Sequence, residues 1–168
     1  MSIRAWRRAR SWVPLRDAEV RFVLIGGLAS QVHGSPSLTL DVDICFALDR
    51  DNLERLAGVL ADLSAIRRDL PGGVTAPIDV RALRAGDVFT LRTRYGDLDL
   101  LARPDPGFDH DILAKQAISA EILGVVVRVA SLDDLIAMKR AAGRPKDRIE
   151  LEILGALREE LDRRGPPG

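Results

Sequence analysis

One cysteine, two histidines and a net charge of zero across 168 residues deprive several function classes of their raw material. A lone Cys45 excludes an internal disulfide framework and suits a reducing compartment, so a cytoplasmic location is expected. His33 and His110 have no further His or Cys at ligand spacing, which excludes a zinc centre of the usual kind. His33 is expected to pack beneath a glycine turn, His110 to sit in a loop, and Cys45 to be a small core residue. No apolar run approaches the roughly 20 residues that a bilayer-crossing helix needs, and no membrane partner is expected. The segment from Met1 to Leu15 carries Arg and Trp but no apolar signal-peptide core. Twenty-five basic residues balance twenty-five acidic ones, which argues against a general nucleic-acid coat. There is no Walker-A loop, no Gly-x-Ser-x-Gly elbow, no internal repeat and no low-complexity linker.

What is present is enough hydrophobic sequence, 46%, to bury one core without staples. A single domain over residues 1–168 is expected, of α/β (α+β) class, with a mixed sheet and a helical C-terminal third. Arg21–Ile25 reads as a buried strand closed by Gly26-Gly27, and Leu28–His33 as a helix stopped by Gly34. Leu40–Leu48 reads as a second strand, and Asp51–Leu63 as an amphipathic helix carrying Leu53, Leu56, Val59, Leu60 and Leu63. Pro71-Gly72-Gly73 breaks the chain. Three strand-like runs follow, Ile78–Leu83, Val88–Thr93 and Leu98–Ala102, then a short helix over Asp109–Ala117. Ala120–Val129, with Gly124 near its middle, predicts a strand pair or a bent strand. Ser131 caps a helix that Gly143 ends, and Pro145 begins a last helix to about Arg163, so residues 131–163 form the helical end. Positive charge gathers in two places. Residues 1–16 form an Arg-rich extension with Arg4, Arg7, Arg8, Arg10 and Arg16, either solvated surface or a phosphate contact. Lys139, Arg140, Arg144, Lys146 and Arg148 form the second cluster.

The chemistry starts at Asp41-Val42-Asp43. Two carboxylates two residues apart on a strand share a face, about 6.6 Å apart along the chain. A half-buried strand does not keep two mutually repelling acids on one side unless a cation resolves the conflict. Magnesium, which takes a few carboxylates together with substrate phosphates, is the cation such a pair suits. A second alternation, Tyr95-Gly96-Asp97-Leu98-Asp99-Leu100, offers a third acid if the two strands are neighbours. Asp99, with apolar neighbours on both sides, is the better candidate, and Asp97 is read as a strand-end residue. Three carboxylates can hold one or two ions, two of them about 4 Å apart, around a displacement at phosphorus. Gly26-Gly27, between strand and helix, allows close approach of the backbone to a phosphate at a helix N-terminus. Leu132, Leu135, Ile136 and Lys139 fall on one helical stripe, which carries Lys139 either to solvent or into a cleft toward an anion. Asp147 precedes Leu151 and Leu154 at i+4 and i+7 and points inward, or serves its helix dipole.

Gly26-Gly27-Leu28-Ala29, His33-Gly34-Ser35-Pro36 and Thr39-Leu40-Asp41-Val42-Asp43 together resemble the signature of the polymerase-β-like nucleotidyltransferase superfamily. The closer resemblance is to the AbiEii/MenT-type toxin group, and Ser131–Arg140 with Arg144-Pro145-Lys146-Asp147 looks like that group as well. The likeness covers about Phe22 to Leu157. It implies an enzyme that moves a nucleotide from a nucleoside triphosphate to a macromolecular hydroxyl, the 3′ end of transfer RNA, as the toxin of a toxin–antitoxin pair with a cognate antitoxin as partner. Protein or small-molecule modification, and a non-catalytic nucleotide-binding module, are the alternatives. The resemblance implies Asp41, Asp43 and Asp99 as magnesium ligands, with Asp99 helping to activate the acceptor hydroxyl. It places Gly26, Gly27 and Lys139 at the nucleotide, and adds Lys139 and Asp147 to the catalytic set. Relatives commonly carry Arg where this chain has Ser37, at the nucleotide-binding loop.

Overall fold

The computed structural model describes residues 12–39, 41–70, 78–145 and 147–165. Leu40, Pro71-Gly72-Gly73, Lys146 and the arginines at 4, 7, 8 and 10 lie outside them, and so do the expectations that fall there. Seven strands form one mixed sheet in the order β3-β4-β5-β2-β1-β7-β6. The strands are β1 (Phe22–Ile25), β2 (Val42–Phe46), β3 (Ile66–Arg67), β4 (Val88–Thr93), β5 (Gly96–Leu101), β6 (Ile118–Ile122) and β7 (Val125–Val129). The helices are α1 (Val13–Asp17), α2 (Gly26–Val32), α3 (Arg50–Asp62), α4 (Val80–Ala85), α5 (His110–Gln116), α6 (Leu132–Ala142) and α7 (Asp147–Arg164). The expected α/β class with a helical C-terminal third is what the chain adopts.

The centre of the sheet is its most apolar part. β1 is buried along its length, and Val42, Ile44, Cys45 and Phe46 of β2 are fully buried. β2 runs antiparallel to β1 and parallel to β5, with Ile25 opposite Asp43 and Asp43 opposite Asp99. This register decides where function can sit, because slipping one residue would turn Asp43 and Asp99 to opposite faces.

Local signals account for most helix ends. Asp49 accepts a bond from Asn52 N at the start of α3, and Ser131 Oγ from Asp134 N at the start of α6. Gly143 closes α6 in the left-handed conformation, its N–H on Lys139 O. In α3 the buried residues Leu53, Leu56, Val59 and Leu60 follow the helical period. Asn52 is also fully buried. Its Oδ1 accepts Arg21 N at 2.6 Å, and its Nδ2 donates to Arg21 O and Ala47 O at 3.1 and 2.8 Å. One amide thereby ties the entry of β1 to the exit of β2. Asn52→Ala is expected to cost about 3 kcal/mol, the sum of leaving an N–H and a carbonyl buried and unpaired. Urea unfolding measures it; a loss under 1 kcal/mol would show that water replaces the amide.

Several elements differ from expectation. Ile78–Leu83 is not a strand: Asp79 accepts from Ala82 N at 2.8 Å and starts α4 instead. Apolar and charged residues alternate from Ile78 to Arg81, as in a strand, but the cap decides, and only Leu83 is buried. α7 begins at Asp147, two residues after Pro145, with Asp147 N donating to Arg144 O. α2 begins at Gly26, so the glycine pair lies in its first turn. His110 opens α5 rather than occupying a loop, its Nδ1 against Asp111. The two-residue β3 and the short α1 carry too little pattern to be read. Over Ala120–Val129 the chain takes the strand pair of the two expected alternatives: β6 and β7 form a hairpin joined by Leu123-Gly124, both at positive φ, as a type I′ turn requires. No helix among the described residues is long and apolar enough to cross a membrane.

Cys45 is fully buried, and that burial pushes its thiol from an ordinary 9.0 up to about 12, with the negative charges of Asp109 and Asp111 adding to the effect. The native protein is expected to show no thiol reactive to a disulfide reagent at pH 8, and one after denaturation. Because the folded value is raised, this group supports the fold fully below about 9.0 and ceases to do so as pH climbs to about 12.

Candidate active site

β1 ends at Ile25, opposite Asp43, and the chain turns at once into α2 through Gly26, whose φ is +68°. A Cβ on Gly26 would collide with Asp43 Oδ2, so the missing side chain is what gives that carboxylate its place. A Cβ on Gly27 would press on Thr39 in the same way. Asp41 stands one residue before β2, and Asp99 lies beside Asp43 on β5. On the other side, α6 packs against both α2 and α7. Its buried stripe of Leu132, Leu135 and Ile136 continues to Lys139, whose side chain is 18% exposed.

These elements enclose a cleft of about 380 Å³. Asp41, Asp43 and Asp99 line it, together with Gly26, Gly27 and Ser37. Lys139 and Asp147 line it as well, so the residues expected at the metal, the nucleotide and the reaction lie at one cavity. Lys139 Nζ is 3.7 Å from Asp147 Oδ1, while Asp147 Oδ2 is buried and has no hydrogen-bond partner among the described residues. A buried acceptor left over at a cleft wall suits a ligand bearing a donor. Ser37 is held by main-chain contacts, its carbonyl accepting from Gln31 Nε2 and its N–H donating to Ser35 Oγ. His33 is structural: its Nε2 is 2.8 Å from Ala130 O, joining α2 to the end of β7.

Three participants have no forerunner in the sequence reading. Arg68, just beyond β3, pairs with Asp99 at 2.6 Å and with Asp97 at 3.2 Å. Asp105, in a Pro-rich loop after β5, lines the cleft together with Arg144 and Asp147, whose charges act on it. Glu150, on α7, also lines it and accepts from Ser35 Oγ at 3.0 Å. In sequence Asp105 resembles ordinary loop polarity, and Arg68 sits in no recognisable pattern. A further difference concerns Arg144, which is exposed yet reaches the cleft rim.

Partial burial raises the Asp99 carboxyl above the usual range, against the hydrogen bond and charge of Arg68; Asp41 and Asp97 raise it further. Burial likewise raises Asp105, opposed by Arg144 and reinforced by Asp147. For Arg68 partial burial works against the charge, but the Asp99 bond and the charges of Asp99, Asp97 and Asp41 outweigh it and hold the guanidinium protonated.

Among the described residues no three His, Cys, Asp or Glu side chains stand close enough together to hold a metal ion, and Arg68 occupies Asp99. The donor set nevertheless suits a hard divalent cation: carboxylate oxygens from neighbouring strands, with Gly26 leaving room at Asp43. Chemistry and backbone fit; the Asp99 rotamer answers to arginine.

The fold is that of nucleotidyltransferase structures. A nucleotidyltransferase-like antigenic protein from Paracoccidioides brasiliensis superimposes with a TM-score of 0.58 at 18% identity, over 94% of this chain and 77% of that one. The lincosamide antibiotic adenylyltransferase LnuA, solved with lincomycin, gives 0.56 at 14% identity, over 84% and 90%. ANT(2″)-Ia, solved with adenylyl-2″-tobramycin, gives 0.56 at 16% identity, over 97% and 99%. No family model matches the chain, and no curated protein matches it in sequence.

Proposed function

We propose that this protein transfers a nucleotide from a nucleoside triphosphate to a hydroxyl of a macromolecule, the 3′ end of transfer RNA, as the toxin of a toxin–antitoxin pair. The observation that carries transfer is the convergence of Asp41, Asp43, Asp99, Lys139 and Asp147 on one cleft beside a glycine turn. The acceptor and the toxin role rest on the resemblance of the Gly-Gly, Asp-x-Asp and Lys–Asp motifs to the AbiEii/MenT-type group. In the reaction the acceptor oxygen bonds to the α-phosphorus, the bond to the β-phosphate oxygen breaks, and pyrophosphate departs with that electron pair. Asp41, Asp43 and Asp99 would hold magnesium, which when bound would neutralise charge developing on the phosphates. Lys139 supplies a fixed positive charge for the triphosphate. The first turn of α2, at Gly26-Gly27, offers N–H groups to it. Asp99, whose carboxyl burial raises, would take the hydroxyl proton.

A second reading is transfer to a small amine-bearing alcohol. Asp105 and Glu150 favour it, because they add two carboxylates to the cleft wall where an RNA backbone would prefer cations. One assay separates the two. Protein, magnesium and each labelled triphosphate are mixed with transfer RNA that has or lacks its terminal 3′ hydroxyl, and in parallel with an aminated sugar. Label only on the intact RNA supports the first reading. Label only on the sugar supports the second, and label on both RNAs alike, or solely on the protein, defeats the first.

A further inference from the structure

Arg68 is placed with more care than a surface arginine needs. Its N–H donates to Thr90 O at 2.8 Å, which extends the pairing of β3 with β4 by one residue and fixes its backbone to the sheet. From there Nη2 reaches Asp99 Oδ1 at 2.6 Å and Nη1 reaches Asp97 Oδ2 at 3.2 Å. The two acids share a face of β5, and one planar guanidinium spans both. Asp97 has Arg92 as another cationic partner, at 3.0 Å. The pair is partly shielded: the side chains of Arg68 and Asp99 are 27% and 18% exposed.

We propose that Arg68 is a positioning residue, a tethered counter-cation that holds Asp99 while no divalent ion is bound and must release it when one is taken. The inference rests on the reading of Asp99 as a metal ligand. Arg68 already holds Oδ1 of the carboxylate that a divalent ion would use, and two cations on one carboxylate repel, so occupation is an exchange rather than an addition. The apparent affinity for the ion is therefore lowered by the strength of the Arg68–Asp99 pair. Without either cation, Asp99, Asp97 and Asp41 would repel one another across the cleft wall. Arg68 thus ties Asp99 and Asp97 to the end of β3 until loading.

Manganese binding to the nucleotide-free protein, followed by calorimetry, tests this. Arg68→Gln is expected to tighten manganese roughly fivefold, the worth of one part-buried ion pair. Its melting temperature in chelator should fall below wild type, and manganese should raise it by more than in wild type. Arg68→Lys keeps the charge but cannot span both acids, and should tighten manganese to a smaller degree. A purely structural arginine would lower the melting temperature and leave affinity unchanged. Asp99→Asn separates the two levels of argument. If it loses manganese while Arg68→Gln binds as wild type or more weakly, the counter-cation inference is overturned and the ligand assignment stands. If Asp99→Asn binds as wild type, the ligand assignment itself falls. Should Arg68→Gln fail to fold, Arg68→Lys decides: tighter binding supports the exchange, and unchanged or weaker binding overturns it.

Discussion

Asp41→Asn is expected to lower nucleotide transfer by at least about 10²-fold, the scale of losing one preorganised electrostatic contact at a reacting phosphate. The protein should stay folded, because Asp41 stands outside β2 and the core, and among the described residues no helix start or buried pair depends on its charge. Removing one charge from a wall that also carries Asp43 and Asp99 relieves repulsion in the metal-free state. The melting temperature in chelator should therefore stay level or rise slightly while turnover collapses. The two measurements belong together. Retained turnover removes Asp41 from the ligand set, and a collapse of both would make it a structural residue.

Lys139→Ala carries the second large effect, a loss of about 10²-fold in transfer through weaker binding of the triphosphate. Its side chain enters the cleft at the end of the α6 stripe, 3.7 Å from Asp147, and not on the outer surface. RNA affinity should accordingly change little. Neutralising Arg140, Arg144 and Lys146 together should have the converse effect. RNA binding would weaken, and its dependence on salt would flatten by about one unit of slope for each phosphate no longer neutralised. Arg144 reaches the cleft rim, so a portion of its effect should appear in transfer as well. Filter binding across a salt series, run beside single-turnover transfer, distinguishes these outcomes. A large RNA-binding defect in Lys139→Ala would reverse the division of labour.

The parts of the molecule that can be read from sequence are those in which one signal dominates. Asp-x-Asp on an apolar strand, Gly-Gly between strand and helix, and the α6 stripe with Ser131 and Gly143 at its ends all bring their residues to the expected cleft. Proximity across the sheet is legible only conditionally. Asp99 is a candidate if its strand lies beside Leu40–Leu48, and the parallel pairing of β2 with β5 provides that neighbour. Residues that act through tertiary contact leave no local trace. Arg68 gains meaning from the approach of β3 to the sheet edge, and Asp105 from sharing a cleft with Arg144, whose charge acts on it. Ile78–Leu83 misleads because period-two alternation and an aspartate cap compete over six residues, and among the described residues no strand pairs with it. Asn52 resembles ordinary helix polarity, yet its amide bonds on both sides where β1, β2 and α3 meet.

The contact between Gly26 and Asp43 also limits how this chain can vary. The volume that a side chain would take at position 26 is filled by the carboxylate of position 43, so the two positions form one unit of inheritance. In a library that randomises both, survivors selected for folding alone should rarely carry a side chain at 26, which the positive φ there strains, and those that do should carry a smaller residue at 43. Survivors selected for transfer should return to glycine at 26 whenever aspartate is retained at 43. Drift at either site is open to a folded but idle descendant and closed to a working one.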